Sequence, residues 1–197
     1  MQYEIELTFT EDVLGGAPQD KELYTNYIAD KRADMNGDIL AEELATLRED
    51  KGKTGFHRLE DGTPIFYDYV VRGFFKDACG MLSRVQDSES KKVKAYKKII
   101  DGLVFVFPRK IPIQVVGEMG VLERPLRAQT AQGERVALAY SECIPAGSHM
   151  RFTLEVLDDK AVSEELLREW FDYGRLRGLG QWRNGSYGRY SYTLKAK

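Results

Sequence analysis

Apolar and polar side chains alternate near both ends of the chain, and this period of two predicts half-buried strands. Residues 3–9 alternate strictly, and residues 190–194 repeat the pattern. Residues 103–107 (Leu-Val-Phe-Val-Phe) form a continuous apolar run, which predicts a strand in the interior of a sheet. The pattern also predicts a hairpin over 56–66 and strands over 119–130, 135–144 and 150–157.

Helical spacing of apolar residues fills the segments between these strands. Ser163 is the expected N-cap of the last helix, and Glu164 and Glu165 lie in its first turn, where they favour the helix dipole. Strands at both ends and a helix before the last strand indicate an α+β fold, a ferredoxin-like antiparallel sheet with helices on one face. The predicted helices cover residues 20–32, 38–50, 68–85, 88–100 and 158–172.

Composition excludes several classes of protein. The 197 residues, of which 43% are hydrophobic, are enough for one packed domain, so global disorder is not expected. There is no apolar run of about 18 residues, which predicts no membrane span, and the alternating N-terminal segment does not resemble a signal peptide. Cys79 and Cys143 are too few for a disulfide framework, so we expect a reducing cytoplasmic setting.

Charge is distributed unevenly along the chain. The net charge is −2, yet residues 1–70 carry sixteen acidic and seven basic side chains, whereas residues 170–197 carry six basic and one acidic. This asymmetry fits a basic face on an acidic body. Other cations either extend a nucleic-acid track or form a solvated surface; they are Arg72, Lys76, Lys91, Lys92, Lys94, Lys97 and Lys98.

The segment 174–189 combines glycines, arginines and aromatic residues. Glycine lets a backbone approach a partner closely, arginine binds phosphates, and aromatic rings stack on bases. The combination predicts a loop that holds a nucleic-acid strand; the alternative is a helix C-cap and a turn with solvated arginines, in which Trp182 is a core aromatic. The candidate binding residues are Arg175, Arg177, Gly178, Gly180, Gln181, Trp182, Arg183, Gly185, Tyr187, Gly188 and Arg189.

Catalytic candidates are few. His57 stands beside Arg58 in the predicted hairpin, an arrangement in which a general base has a phosphate-binding neighbour; the alternative is a structural or solvated histidine. Asp34, Asp38 and Asp61 are loop acids of the kind that support metal-dependent cleavage, but their spacing singles none of them out. We expect no bound metal and no cofactor, and the sequence leaves open whether the protein is an enzyme.

The glycines follow a recognisable pattern. Gly178-Leu-Gly180, five residues and Ser186-Tyr-Gly188 match Gly-h-Gly, five residues, Gly-h-Gly, where h is apolar and Ser186 occupies one glycine position. Together with the preceding helix, Arg189 and the following strand, this segment resembles the RAMP superfamily (repeat-associated mysterious proteins), the RNA-binding components of CRISPR effector and processing systems. The segments 144–147 and 151–156 resemble the family's strand entry before the last helix, so the match is best over residues 140–194, and it is thinner over residues 66–82.

The resemblance implies an RRM-like ferredoxin core in a single domain over residues 1–197, with insertions around 10–55 and 88–130. It implies a cytoplasmic, antiviral subunit of a CRISPR-like ribonucleoprotein complex that binds RNA or single-stranded DNA and contacts other protein subunits. Two alternatives stay open. One is an interaction or inhibitor protein of mobile-element origin that binds a nucleoprotein complex, and the other is a metal-independent endoribonuclease with His57 as base.

Overall fold

A computed structural model describes residues 1–28, 37–48, 50–130, 133–158 and 160–197. The strands are β1 (Gln2–Phe9), β2 (Val13–Leu14), β3 (Ala17–Pro18), β4 (Lys53–Gly55), β5 (His57–Arg58), β6 (Pro64–Tyr67), β7 (Val104–Phe107), β8 (Lys110–Gln114), β9 (Gly120–Thr130), β10 (Gly133–Ile144), β11 (His149–Val156) and β12 (Tyr190–Ala196). The α-helices are α1 (Lys21–Leu23), α2 (Gly37–Ala45), α3 (Asp68–Leu82), α4 (Tyr96–Leu103) and α5 (Glu164–Arg177). A π-helical turn covers Tyr24–Ile28, and 3-10 turns cover Glu89–Lys92 and Arg183–Gly185.

The main sheet has seven strands, all paired antiparallel. Its order is β12-β1-β11-β8-β6-β5, and β7 also pairs with β11. β1 lies between β11 and β12, so that Ile5 stands opposite both Phe152 and Leu194. The alternation along β1 buries one face of the strand and leaves Glu4 exposed on the other.

Helices α3 and α5 cover the buried face of this sheet. The ring of Phe75 lies 5.3 Å from the rings of both Trp170 and Phe171, and these residues share one apolar core with Tyr3 and Ile5 of β1. Burying an aromatic side chain of this size contributes about 1.5–3 kcal/mol, so this layer provides much of the stability. The predicted α+β fold, an antiparallel sheet with helices on one face, is confirmed.

A smaller sheet stands beside the main one, in the order β2-β10-β4-β3, and β9 pairs with β10. β9 and β10 form a long hairpin. Ser141 and Cys143 of β10 also pair with β4 and β2, whereas residues 133–139 pair with β9 alone among the described strands. The outer half of the hairpin is therefore a two-stranded ribbon.

The predicted interior position of the strand over 103–107 is wrong. Among the described strands, β7 pairs only with β11, and its side chains alternate between buried valines and the exposed rings of Phe105 and Phe107. Because every residue of the run is apolar, alternation between the two faces leaves no trace in the sequence. An apolar run predicts a strand, but it does not show whether one face of the sheet or both faces are covered at that strand.

Several helix bounds also differ from the prediction. The predicted helix 88–100 is split into a 3-10 turn and α4, because Ala95 adopts a left-handed φ of 49° between them. α5 begins after the N-cap Ser163, whose hydroxyl accepts from the Leu166 amide, and continues to Arg177. The helix predicted over 38–50 ends at Ala45, and residues 29–32 of the helix predicted over 20–32 lie outside the described residues. Among the described helices, each is too short or too polar to cross a membrane.

Candidate nucleic-acid interface

The segment between α5 and β12, residues 178–189, is called the glycine loop below. Its backbone is closed on itself by the Leu179 amide, which donates to the Gly188 carbonyl at 2.9 Å. The Gly188 and Gln181 amides donate to the carbonyls of Asp12 and Leu14, at 2.8 and 3.1 Å. The loop is thus fixed to the segment around β2, and Leu179 is buried beneath it.

Two glycines of the pattern are required by this closure. At Gly188, with φ of 73°, an added Cβ would lie 1.8 Å from the Leu179 carbonyl oxygen. At Gly178, with φ of 81°, it would lie 2.3 Å from the Tyr187 carbonyl oxygen. Such distances exclude any side chain. The glycines therefore bring two parts of the loop backbone together, and the pattern in the sequence encodes the conformation of the loop itself.

The loop amides are largely engaged within the protein. Those of Gly178, Gly185 and Gly188 all donate to carbonyl oxygens of the chain. A strand held by this loop would therefore be bound through side chains rather than through a nest of these three amides. Gly180 occupies a similarly close site, where an added Cβ would lie 2.9 Å from the Leu14 carbonyl oxygen.

The two aromatic side chains of the loop are stacked on each other at the surface. The rings of Trp182 and Tyr187 are 5.2 Å apart with an angle of 18° between their planes. Trp182 is 43% exposed, so the alternative in which it is a core aromatic is wrong. Gly185 lies close beneath, where a Cβ would lie 3.0 Å from the indole. The loop thus presents an aromatic surface of the kind on which bases stack.

Arg124 of β9 joins this aromatic pair and was missed by sequence reasoning. Its guanidinium carbon lies 4.6 Å from the centre of the Trp182 ring, a cation–π contact. Arg124 is only 8% exposed, and its Nε and Nη1 have no hydrogen-bond partner within the described residues. The sequence places Arg124 in a predicted strand, and nothing in the local pattern indicates that the hairpin brings it to the glycine loop.

The arginines of the loop region are mostly neutralised by carboxylates. Asp77 of α3 lies 2.8 Å from Nη1 of Arg183 and 3.5 Å from Nε of Arg177. Arg177 also donates to the side-chain oxygen of Asn184. Arg189 differs, because its Nε donates to the carbonyl of Leu176 at 2.8 Å and its guanidinium has no carboxylate partner among the described residues.

The cations predicted on neighbouring helices are also paired. Arg72 lies 2.8 Å from Asp68, one turn before it on α3. Lys76 forms an ion pair with Asp101 of α4. Arg175, in the last turn of α5, lies 3.5 Å from Asp172. All three pairs lie at partly exposed positions, where an ion pair contributes about 0–1 kcal/mol.

The lysine segment, residues 91–98, is attached elsewhere. All five of its lysines are exposed, and within the described residues only Lys92 has an ion-pair partner, Glu89 at 2.6 Å. Its anchor is the buried Ser90, whose hydroxyl accepts from Trp170 Nε1 at 3.0 Å and whose amide donates to Glu169. The lysines therefore lie on the helical layer, and Ser90 attaches them to Glu169 and Trp170 in the middle of α5.

His57 does not form the predicted pair with Arg58. The two residues are consecutive on β5, so their side chains point to opposite faces. Arg58 Nη2 lies 2.8 Å from Glu142, whereas His57 is buried, with Nδ1 2.8 Å from the Thr46 hydroxyl. The aromatic ring of Tyr67 packs edge-on against the imidazole at 4.8 Å.

The two loop acids that the structure describes, Asp38 and Asp61, are not part of a group of metal ligands. Asp38 is exposed at the start of α2, Asp61 accepts from the Thr63 amide at 2.9 Å, and Asp34 lies outside the described residues. Over the part of the chain that the structure describes, no three His, Cys, Asp or Glu side chains are grouped as metal ligands.

Comparison with known proteins gives structural neighbours only. No protein-family model and no curated protein matches the sequence. A chain of the type III-B Cmr-β complex bound to cognate target RNA, solved by cryo-electron microscopy, is 9% identical with a TM-score of 0.51 over 99% of this chain and 58% of its own length. A chain of a type IV-B CRISPR complex is 10% identical with a TM-score of 0.51, over 100% of this chain and 91% of its own. The protein therefore shares its fold with subunits of CRISPR complexes.

Proposed function

We propose that this protein is an RNA-binding subunit of a CRISPR-type ribonucleoprotein complex, and that the glycine loop holds the strand. The observation that carries this proposal is the exposed Trp182–Tyr187 stack, which lies on a rigid loop together with Arg183 and Arg189. Each base stacked on such a ring contributes about 1–3 kcal/mol. The two structural neighbours, chains of a Cmr-β complex bound to target RNA and of a type IV-B CRISPR complex, support the choice of RNA and of an assembly.

The arginines would bind phosphates by exchanging partners. Arg189 has no carboxylate to displace within the described part of the chain, whereas Arg183 must leave Asp77 or share it. Because Asp77 is partly exposed, the exchange costs little. Bound phosphates release counterions, so the affinity should fall as salt concentration rises.

The β9–β10 hairpin is the proposed contact for other protein subunits. Its outer half exposes apolar side chains on both faces, among them Leu126 on one face and Val136 and Leu138 on the other, each more than 50% exposed. A two-stranded ribbon with such a surface is only marginally stable alone in water, and a protein partner would cover it. Capture of partner subunits should be lost in a Val136→Asp/Leu138→Asp variant; unchanged capture contradicts this contact.

A second candidate is a protein that binds or inhibits a nucleoprotein complex without touching its RNA. The specific observation in its favour is the pairing of Arg177 and Arg183 with Asp77, which leaves few free cations on the loop. The endoribonuclease alternative has less support, because Arg58, its proposed phosphate-binding residue, is held by Glu142 and points away from His57.

The test is binding of a fluorescent single-stranded RNA, and of DNA of the same sequence, over a salt series. We expect the wild type to bind RNA, with a binding constant whose logarithm falls linearly with the logarithm of the salt concentration. In the Arg183→Glu/Arg189→Glu variant the slope of this line should be smaller in magnitude by about 1.4 or more, because two phosphate contacts to a single strand are lost. Arg168→Glu is a control outside the loop, with half the change in net charge, because Arg168 is an exposed arginine of α5 paired with Glu164. Equal binding by both variants contradicts the proposal and favours the protein-binding candidate.

A further inference from the structure

A cavity of about 300 Å³ lies behind the glycine loop. Gly180 and Gln181 of the loop form one of its walls, and β3 and the start of α3 contribute Ala17 and Val70. Most of the remaining lining is aromatic, and its aromatic residues are Tyr24, Phe56, His57, Phe66, Tyr67 and Tyr69. The cavity therefore shares the glycine loop with the surface on which we propose that RNA lies, because Gln181 in its wall directly precedes Trp182.

The aromatic wall is held in place by polar contacts on its far side. The Tyr24 hydroxyl donates to the fully buried Glu43, which also accepts from Arg109 at 3.1 Å. Tyr67 and Tyr69 are stacked, with ring centres 5.3 Å apart. These contacts fix the shape of the cavity before any ligand enters it, which lowers the entropic cost of binding.

Gln181 supplies a hydrogen-bonding group at the cavity. Its Oε1 accepts from the hydroxyls of Thr54 and Ser141, at 2.9 and 3.0 Å, which fixes the orientation of the amide. Its Nε2 has no acceptor among the described residues and is a donor available to a ligand. The sequence predicted that Gln181 binds the nucleic-acid strand, and the structure places this residue in the wall of the cavity.

The chemistry of the lining selects the ligand. Among the described lining residues there is no Lys, Arg, Asp or Glu, so a phosphate would find no counter-charge there. Aromatic side chains and one amide donor suit an uncharged, planar heteroaromatic ring that carries a hydrogen-bond acceptor. On the basis of the proposed function, we infer that the cavity binds one unpaired nucleobase of the bound strand and that Gln181 Nε2 donates to the edge of that base.

The first experiment uses free nucleosides, which lack phosphates and therefore test the cavity without the strand. The full chain is titrated with adenosine, guanosine, cytidine and uridine up to millimolar concentration, followed by saturation-transfer NMR. We expect at least one nucleoside to bind saturably, with ribose alone not binding. Val70→Phe, which fills the cavity from α3, should weaken that binding at least about tenfold, as expected for the loss of one stacked base.

Controls separate the cavity from general damage to the fold. Val116→Phe adds the same ring at a residue that is 53% exposed and outside the cavity, and it should leave nucleoside binding unchanged. Ala17→Leu fills the cavity from β3, a different element, so agreement between the two filling variants does not depend on how either one folds. No binding by the wild type, or equal binding by the wild type and a folded filling variant, overturns the inference.

Gln181→Glu tests the hydrogen bond with almost no change in shape. One carboxylate oxygen still accepts from Thr54 and Ser141, while the other replaces a donor by an acceptor. The preferred nucleoside should therefore change from one that presents an acceptor to one that presents an amino group; an unchanged preference overturns the role of Gln181. RNA binding with no nucleoside binding overturns the cavity alone, whereas nucleoside binding without RNA binding overturns the proposed function.

Discussion

The glycine loop and the lysine segment are both basic in the sequence, yet they are built differently. The loop is fixed by backbone hydrogen bonds to the segment around β2, and its arginines sit beside a stacked aromatic pair. The lysine segment is attached through the side chains of the buried Ser90 and of Val93 and Tyr96, which pack against the core, and its lysines extend into solvent. Density of positive charge is common to both, but only the loop combines charge with aromatic rings on a rigid backbone. Such a combination positions a strand, whereas exposed lysines attract one without ordering it.

The largest effect is expected from a substitution that forces the glycine loop to open. Gly188→Ala places a Cβ 1.8 Å from the Leu179 carbonyl, so the loop must open. We expect the free energy of unfolding in urea to fall by more than about 3 kcal/mol. Gly117→Ala is the control, because Gly117 also has a positive φ, 87°, but open space around it, and it should cost only about 1–2 kcal/mol. Equal losses would show that the loop closure contributes nothing.

Charge reversal in the two regions measures their separate shares of binding. Arg183→Glu/Arg189→Glu should weaken RNA binding by about tenfold or more, because each arginine gives a hydrogen bond to a charged group. Lys94→Glu/Lys98→Glu makes the same change in net charge on the lysine segment and should weaken binding less than about threefold at physiological salt, where exposed charges are screened. The measurement is fluorescence anisotropy of labelled RNA. A larger effect of the lysine pair would make that segment the principal binding surface.

The contribution of Glu169, which accepts hydrogen bonds from Ser90, to the free energy of unfolding should depend on pH. Burial raises the pKa of the Glu169 carboxyl, but hydrogen bonds from Ser90 and Ser88 outweigh it, so the pKa lies below its ordinary value. A depressed folded-state pKa contributes stability above the unfolded pKa, and that contribution is lost as pH falls through the folded pKa. Glu169→Gln should therefore lower the free energy of unfolding by about 1–2 kcal/mol at neutral pH and by less in acid.

The pH dependence is measured by urea denaturation of wild type and variant at neutral and acidic pH. Glu165→Gln is the control, because Glu165 is an exposed glutamate of the same helix. A difference between wild type and Glu169→Gln that does not shrink in acid would contradict the role of the charged carboxylate.

The smallest expected effect concerns the glycine position that holds a serine. Ser186 adopts a φ of 71°, a conformation that favours glycine. Ser186→Gly should raise the free energy of unfolding by up to about 1 kcal/mol, since relief of strain exceeds the entropy of the added glycine. Ser191→Gly, in the exposed part of β12, should instead lower it. Destabilisation by Ser186→Gly would mean that the contacts of the serine side chain contribute more free energy than the strained backbone costs.

Local patterns predicted the long strands, most helices and the position of the glycine loop, because periodicity and capping depend on neighbours in sequence. They missed the short strands β2, β3 and β4, and also β8, which lies inside the main sheet. Long-range partners were not predictable. Asp77, which neutralises Arg183, lies 106 residues before it. Arg124 reaches Trp182 only because β9 pairs with β10 and β10 packs beside β4. The cavity likewise combines residues from distant segments. That residues 1–197 form one domain with insertions around 10–55 and 88–130 stays a prediction, as do the roles of the candidate binding residues.

The central position of β1 has a consequence for the order of folding. Residues 2–9 pair with both β11 and β12, and the loop backbone bonds to Asp12 and Leu14. Contacts so far apart in sequence form slowly, because the entropy of closing a long loop is lost before any contact is gained. The glycine loop therefore needs the N-terminal segment around β2, which supplies the carbonyls of Asp12 and Leu14, to take its shape. A nascent chain whose residues 178–196 are not yet synthesised lacks the glycine loop and its bonds to Asp12 and Leu14, so on the proposed function it cannot hold a strand.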